Sequence, residues 1–436
     1  MIIMVYSTFT ARSIDTGLGK PEYSYWFVRR AFWPMLERFG VVVPVTDPAR
    51  EVPAIRATAA RDGQDCVFFS FDPPHKTELD LGCPTVPVFA WEFDTIPDTA
   101  WEDEPRNDWR LPLGATGLAI THSSFAATTV RATMGADYPV WSIPAPVHEA
   151  KRRHAVSAAG VHPETVLRIS GIAFDAGRIN RDLFSMQRAH EDGMDVLRAL
   201  DRYLAADDRP DQAFSLGGVV YTAIFNPSDG RKNWTDLLQG FVWAFRDTPD
   251  ATLVLKITHS DVTRGLGQVL HHLAKVGDFS CRVLLLQGML PDDQFDKLLE
   301  MTSYIVNTST NEGQCLPLME FMSAGRPAIT PDHTSMRDYA TTENAFLLRC
   351  CEKPVAWPHD PLAASRTVLH SLDFVSLLRA YRESYAVAKH DPARYAAMSA
   401  AATAAQEAFC GDAVVQARLG VVLEHIRAGR DRQDAA

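Results

Sequence analysis

The chain has 436 residues, 46% of them apolar and 22% charged, a balance that supports folded cores rather than disorder; the length exceeds one ordinary core and predicts two domains. Forty-three basic against fifty-four acidic side chains leave a net charge of −11, which argues against a DNA or RNA reader and leaves any anionic substrate to a local cluster of cations and amides. The seven cysteines show no CxxC pair and no zinc-like spacing, so buried reduced thiols and a cytoplasmic location are expected. MIIMVYSTF lacks the basic leader of a secretory signal, and no run reaches the roughly 18 apolar residues of a membrane span, so a soluble or membrane-peripheral protein is expected.

Residues 1–147 alternate short apolar runs with helical stretches: IIMVYS, VVVPV (41–45), CVFFS (66–70), VPVFAW (86–91), GLAITH (117–122) and VWSIP (140–144). Such runs predict strands buried on both faces of a parallel sheet, in one α/β domain over 1–147. The turn DTGLGKPEYSYW is no P-loop, since Ile14 stands where glycine is needed and Pro21 where Ser or Thr is needed. The helix YSYWFVRRAFWPMLERF is expected to pack on the sheet, with contact to a membrane surface through its aromatics and Arg29-Arg30 as the alternative. FAWEFDTIP (89–97) brings Trp91 and Glu92 to a strand end, where a flat apolar ring suits a sugar face and a carboxylate suits hydroxyls; a core Trp beside a solvated Glu is the competing reading. His75, His122 and His148 are titratable candidates at strand ends, and His122 is singled out for sugar contact.

Residues 148–215 break the rhythm with the basic patch KRRH (151–154), Asp-rich turns and the helical stretch DGMDVLRALDRYL, and are read as an inter-domain helical segment. From GGVVYTAIF the alternation resumes through TLVLKI, RVLLLQG, YIVNTS and RPAIT, which predicts a second doubly wound domain over 216–390, with closing helices over 391–436. After VVYTAIF the loop FNPSDGRKNW carries Arg231 and Lys232, fixed cations of the kind a departing diphosphate needs when no metal is present. Lys256, inside TLVLKI, either snorkels to solvent or serves the site.

The stretch NEGQCLPLME (311–320) runs from a strand through a turn into a helix that starts near Leu316 or Pro317, and Gly325 is expected to stop that helix. Glu312 then lies on the loop and Glu320 about one turn into the helix, on either side of the amides of Gln314, Cys315 and Leu316, an anion-binding helix start. Two carboxylates flanking that start can accept hydrogen bonds from a ribose diol (Glu320) and from a transferred sugar (Glu312).

NTSTNEGQCLPLMEFMSAGRPAIT resembles the signature of retaining family 4 glycosyltransferases of the GT-B fold, two glutamates separated by seven residues. That resemblance implies two Rossmann-like domains facing a cleft, with Glu320 and the Gly313–Leu316 backbone on the donor, and Arg231 and Lys232 on its diphosphate. It also implies that Gly17 and Gly19 approach the diphosphate from the first domain, and that the backbone of QGML, including Met289 and Leu290, contacts the base. The segment from Trp91 and Glu92 to Pro97 is similar to a WE-x-x-x-x-P motif near the acceptor. The sequence departs from the pattern at Gln314-Cys315, where many members carry an aromatic residue and a second glycine. The implied reaction moves a hexose-type sugar from a nucleoside diphosphate sugar to a hydroxyl of a glycan or glycolipid, without cofactor or metal, with the leaving diphosphate taking the acceptor proton. An epimerase or phosphorylase of the same fold, or a catalytically silent sugar-nucleotide binder, are the alternatives.

Overall fold

A computed structural model describes residues 1–155, 159–177, 198, 212–358, 360 and 362–434. The six runs predicted in the first third all form strands: β1 (Ile2–Tyr6), β2 (Val41–Pro44), β3 (Cys66–Ser70), β4 (Thr85–Phe89), β5 (Ala119–Thr121) and β6 (Val140–Ser142). They pair in parallel in the order β2-β1-β3-β4-β5-β6. Helices cover the faces. Tyr25, Val28, Phe32, Met35 and Leu36 of helix Tyr23–Glu37 are buried in one core with Ile3, Val5 and Phe69, so this helix packs on the sheet. Local chemistry fixes the helix starts: Asp47, Ser123 and Asp261 each accept a backbone N–H in the first turn of the helix that follows.

The second sheet contains β7 (His162–Ile169), β8 (Ala173–Asp175), β9 (Gln212–Phe225), β10 (Ala251–Ile257), β11 (Arg282–Gln287), β12 (Tyr304–Val306), β13 (Ala328–Pro331) and β14 (Ala345–Leu348). Its order is β14-β13-β12-β9-β10-β11-β8, with β7 antiparallel on the first half of β9. Strand β9 changes partner at Gly217-Gly218. Gly218 has φ +76, and a side chain there would meet the carbonyl of Asp250 at 2.2 Å, so only glycine allows the bend. The reading of 148–215 as an inter-domain helical segment is therefore corrected in part: His148–Arg152 is a short helix, but 162–169, 173–175 and 212–215 belong to the second sheet. The helical stretch expected at 192–204 lies outside the described residues, apart from residue 198.

Two further features hold the units together. Helices Phe374–His390, Pro392–Cys410 and Asp412–Asp434 end the described chain, and the last returns to the first unit, where Arg38 donates to Asp412 (2.5 Å) and Gln416 (2.6 Å) and Arg418 donates to the Ser142 carbonyl (2.9 Å). An antiparallel hairpin, β15 (Cys350–Ala356) and β16 (Arg366–Leu372), reaches from the second unit to the first. There Thr367 donates to Asp94 (2.7 Å), Thr95 donates to the Arg366 carbonyl (2.8 Å), and Trp357 packs against Trp91, Phe93 and Trp101.

Candidate active site

In the second sheet the chain runs β9-β10-β11 to one side and continues with β12 on the other, so a crevice opens between the carboxyl ends of β9 and β12. Ligands of doubly wound folds bind at such a switch point. The two loops that leave there are 226–233, carrying Arg231 and Lys232, and 307–315, carrying Glu312.

Lys232 Nζ donates to Glu312 Oε1 at 2.6 Å, and Ser309 Oγ donates to the same oxygen at 2.7 Å. Glu312 is 5% exposed, and its backbone N–H donates to Thr334 Oγ1 at 3.1 Å. Burial works against the Lys232 ammonium, but the adjacent Glu312 carboxylate, supported by Asp229, outweighs it and holds the lysine above its ordinary pKa. Arg231 forms an ion pair with Glu92 Oε1 of the first unit (3.1 Å) and donates to Asp229 Oδ2 (2.8 Å) and to the Asn311 carbonyl (3.0 Å). Asn311 Nδ2 in turn donates to the Glu92 carbonyl at 2.9 Å.

Helix Leu316–Ser323 begins after Cys315, which adopts the left-handed conformation (φ 60), with proline in its first turn as predicted; Gly325, at φ +73, follows its end. The amides of Gln314, Cys315 and Leu316 precede the bond from Met319 N to the Cys315 carbonyl (3.2 Å) and sit at the open helix start. Gly313 is needed for another reason. A Cβ there would lie 2.9 Å from Trp91 N and 3.0 Å from Ala90 Cβ, because the 307–315 loop abuts the end of β4. The Gln314 side chain is committed across the cleft, its Oε1 accepting from Ala145 N at 3.1 Å.

Glu320 faces a second charged group. Lys151 of the KRRH patch lies 4.0 Å from Glu320 and 2.8 Å from Asp296. Burial raises the Glu320 carboxyl above its ordinary value of 4.5, opposed by Lys151, Arg30 and Lys256 and reinforced by Asp296. Lys256 is not the snorkelling lysine of the competing reading: it is buried, donates to Thr258 Oγ1 at 3.1 Å, and burial pulls its ammonium down to about 8 while Glu320 opposes this. If Glu320 holds the ribose, Glu320→Ala is expected to raise the donor KM roughly 10- to 100-fold with turnover little changed, the worth of a charged hydrogen bond to a group that does not react. In the wild type the donor KM should climb as pH falls, starting above 4.5 because protonation removes the acceptor; steady-state kinetics across pH should show this climb lost in Glu320→Ala.

The first unit meets this site through its first turn. Ser260 N donates to the Leu18 carbonyl (2.8 Å) and Asn226 Nδ2 to the Gly19 carbonyl (2.9 Å), while a Cβ on Gly19, at φ +85, would lie 3.3 Å from His259 Cα. Gly17 lies against the Phe9 ring, and Met289 packs against Phe9, Ile14, Leu18 and Trp26. Leu290 is in the core, so the side chains of QGML's last two residues are used for packing. Two expectations on the acceptor side are corrected. Trp91 is 7% exposed, enclosed by Phe93, Trp109 and Trp357, and donates to the Thr95 carbonyl (2.8 Å), so it offers no open ring face. His122 is fully buried beneath Phe32 with Nδ1 at 2.9 Å from the Ile143 carbonyl, and burial lowers it to about 4; it is a core imidazole. His75 likewise accepts from Trp109 Nε1 at 3.1 Å, and His148 is buried.

Asp229, Asn311, Thr334, Lys151 and Tyr23 join the site without having been singled out for it. Burial raises the Tyr23 hydroxyl above its ordinary pKa, with Glu312 and Asp229 adding to the rise and Lys232 and Arg231 opposing it. Only the KRRH patch had a sequence signal, its density of charge.

The sequence matches no protein-family model and no curated protein. Solved structures do match. Anabaena HepE in complex with UDP and glucose has TM-score 0.51 and 13% identity, over 97% of this chain and 99% of that one. Sucrose-phosphate synthase of Thermosynechococcus elongatus has TM-score 0.52 and 14% identity, over 98% and 99%. A glycosyltransferase of Rickettsia africae has TM-score 0.53 and 8% identity, over 98% of each chain. At these identities the likeness is one of fold: the chain has the GT-B architecture, two Rossmann-like units facing a cleft.

Proposed function

We propose that the chain is a nucleotide-sugar-dependent glycosyltransferase that moves a hexose-type sugar, with retention of configuration, to a hydroxyl of a glycan or glycolipid in polysaccharide or glycoconjugate synthesis. The observation that carries this reading is the Lys232–Glu312 pair at 2.6 Å, at the switch point of the second sheet and beside an open helix start. One member is a cation for the leaving diphosphate and the other a carboxylate for the sugar that becomes electron-poor. The 13% identical HepE structure contains UDP and glucose, which makes UDP-sugars the first donors to test.

In this reading the diphosphate lies on the amides of Gln314, Cys315 and Leu316 with Lys232 and Arg231 beside it, Glu320 holds the ribose diol, and Glu312 faces the sugar. Charge builds on the departing phosphate as the glycosidic bond lengthens, so preorganised cations favour the transition state over the ground state. The acceptor hydroxyl approaches on the same face and passes its proton to the leaving phosphate oxygen. The seven free cysteines suit a reducing compartment, and among the described residues no helix is long and apolar enough to cross a membrane.

Because side-chain cations occupy the phosphate site, turnover is expected to persist in excess EDTA. A loss restored only by magnesium or manganese would contradict this assignment.

A further inference from the structure

The cations assigned to the diphosphate are already balanced. Arg231 lies between Glu92 and Asp229, and Lys232 is paired with Glu312, so two positive groups meet three carboxylates. This net negative cluster opposes a dianionic diphosphate, and the opposition falls if one carboxylate leaves. Asp229 is tied to its own loop, since it also accepts the Arg231 backbone N–H at 3.1 Å. Glu312 is tied by Ser309 as well as Lys232. The Glu92 carboxylate reaches across from the other unit, and among the described residues its partner is Arg231.

We propose that the Glu92–Arg231 pair is a donor-displaced latch: the diphosphate takes Arg231, and the released Glu92 carboxylate becomes the group that positions the acceptor hydroxyl. This rests on the glycosyltransferase reading above and adds an order to it. Without donor, Glu92 is spent on Arg231, and both side chains are 16% exposed, enclosed enough for the pair to hold. With donor bound, Glu92 stands beside the phosphate oxygen that takes the acceptor proton. Donor therefore binds first and acceptor second, and by linkage each tightens the other.

The test uses the full-length protein, calorimetry with UDP, GDP and inorganic pyrophosphate, and the variant Glu92→Gln. Removing the competing charge is expected to tighten diphosphate binding about tenfold, by freeing Arg231 from one ion pair, while turnover falls and the acceptor KM rises. A merely structural role for Glu92 would leave diphosphate affinity unchanged or weaken it, and either result overturns the latch. Glu92→Ala should shift affinity in the same direction. Glu92 and Arg231 belong to neither of the two main hydrophobic clusters, so neither change should unfold the protein; unchanged thermal unfolding checks this. If wild type binds these probes and both variants bind equally, the latch alone falls. If neither wild type nor variants bind any probe, the donor-site reading falls and takes the latch with it.

Discussion

Replacing Lys232 by alanine is expected to lower turnover by roughly 10²- to 10³-fold, the size of effect produced when one preorganised donor is removed from a developing anion. The donor KM should move much less, because the ammonium gains most once the bond has lengthened. A second consequence must be separated from the first. Glu312, 5% exposed, loses its cation, and a buried carboxylate without one is destabilising. Adding Glu312→Gln to Lys232→Ala removes that buried charge, so thermal stability should recover in the double variant while turnover does not. Turnover near wild type in Lys232→Ala would take Lys232 out of the mechanism and leave the 2.6 Å pair as a structural contact.

Glu312→Gln alone should lower turnover by roughly 10²-fold, since the carboxylate faces a centre that acquires positive character only as reaction proceeds. Bare nucleoside diphosphate, which lacks the sugar, should bind at least as tightly as to wild type, because the change also frees Lys232. This separates Glu312 from Glu320, whose loss should weaken nucleotide binding itself. Calorimetry with UDP on both variants decides between the roles. Equal losses of nucleotide affinity would contradict the division.

The parallel strands and the loop-to-helix turn at 311–325 were legible for physical reasons. Strands β1 to β6 and β9 to β13 are nearly all buried apolar runs between helices, except that β2, at the edge of its sheet, is partly exposed. The Pro at the helix start and Gly325 after its end are local signals that tertiary packing did not override. The hairpin was not legible: β15 reads CCEKPVA, mostly exposed and with a proline, and its partner strand RTVLHSL mixes polar and apolar residues. β7, HPETVLRI, is half-exposed and failed for the same reason.

Missing the hairpin had a consequence at the site. Trp91 lies just past β4, and one of the rings that cover it is Trp357, which follows β15. Position at a strand end identifies a loop facing the cleft, but it does not say which way a ring turns, as His122 also shows by turning into the core against Phe32. Charges behave differently. Glu92, one residue on from Trp91, cannot be buried without a partner, and it found Arg231 across the cleft. No sequence pattern pairs those two residues, because the contact exists only once both units are folded and face each other.

The central claim is sugar transfer from a nucleoside diphosphate donor with retained configuration, and the most direct test is to follow purified protein with UDP-α-glucose, and in parallel with GDP- and dTDP-sugars of known anomeric configuration, by proton NMR in EDTA. The account predicts that wild type consumes one of these donors, that the sugar first appears in the anomeric configuration it had in the donor, and that Lys232→Ala and Glu312→Gln are nearly silent. First appearance of the opposite anomer, or consumption undiminished in both variants, would contradict it.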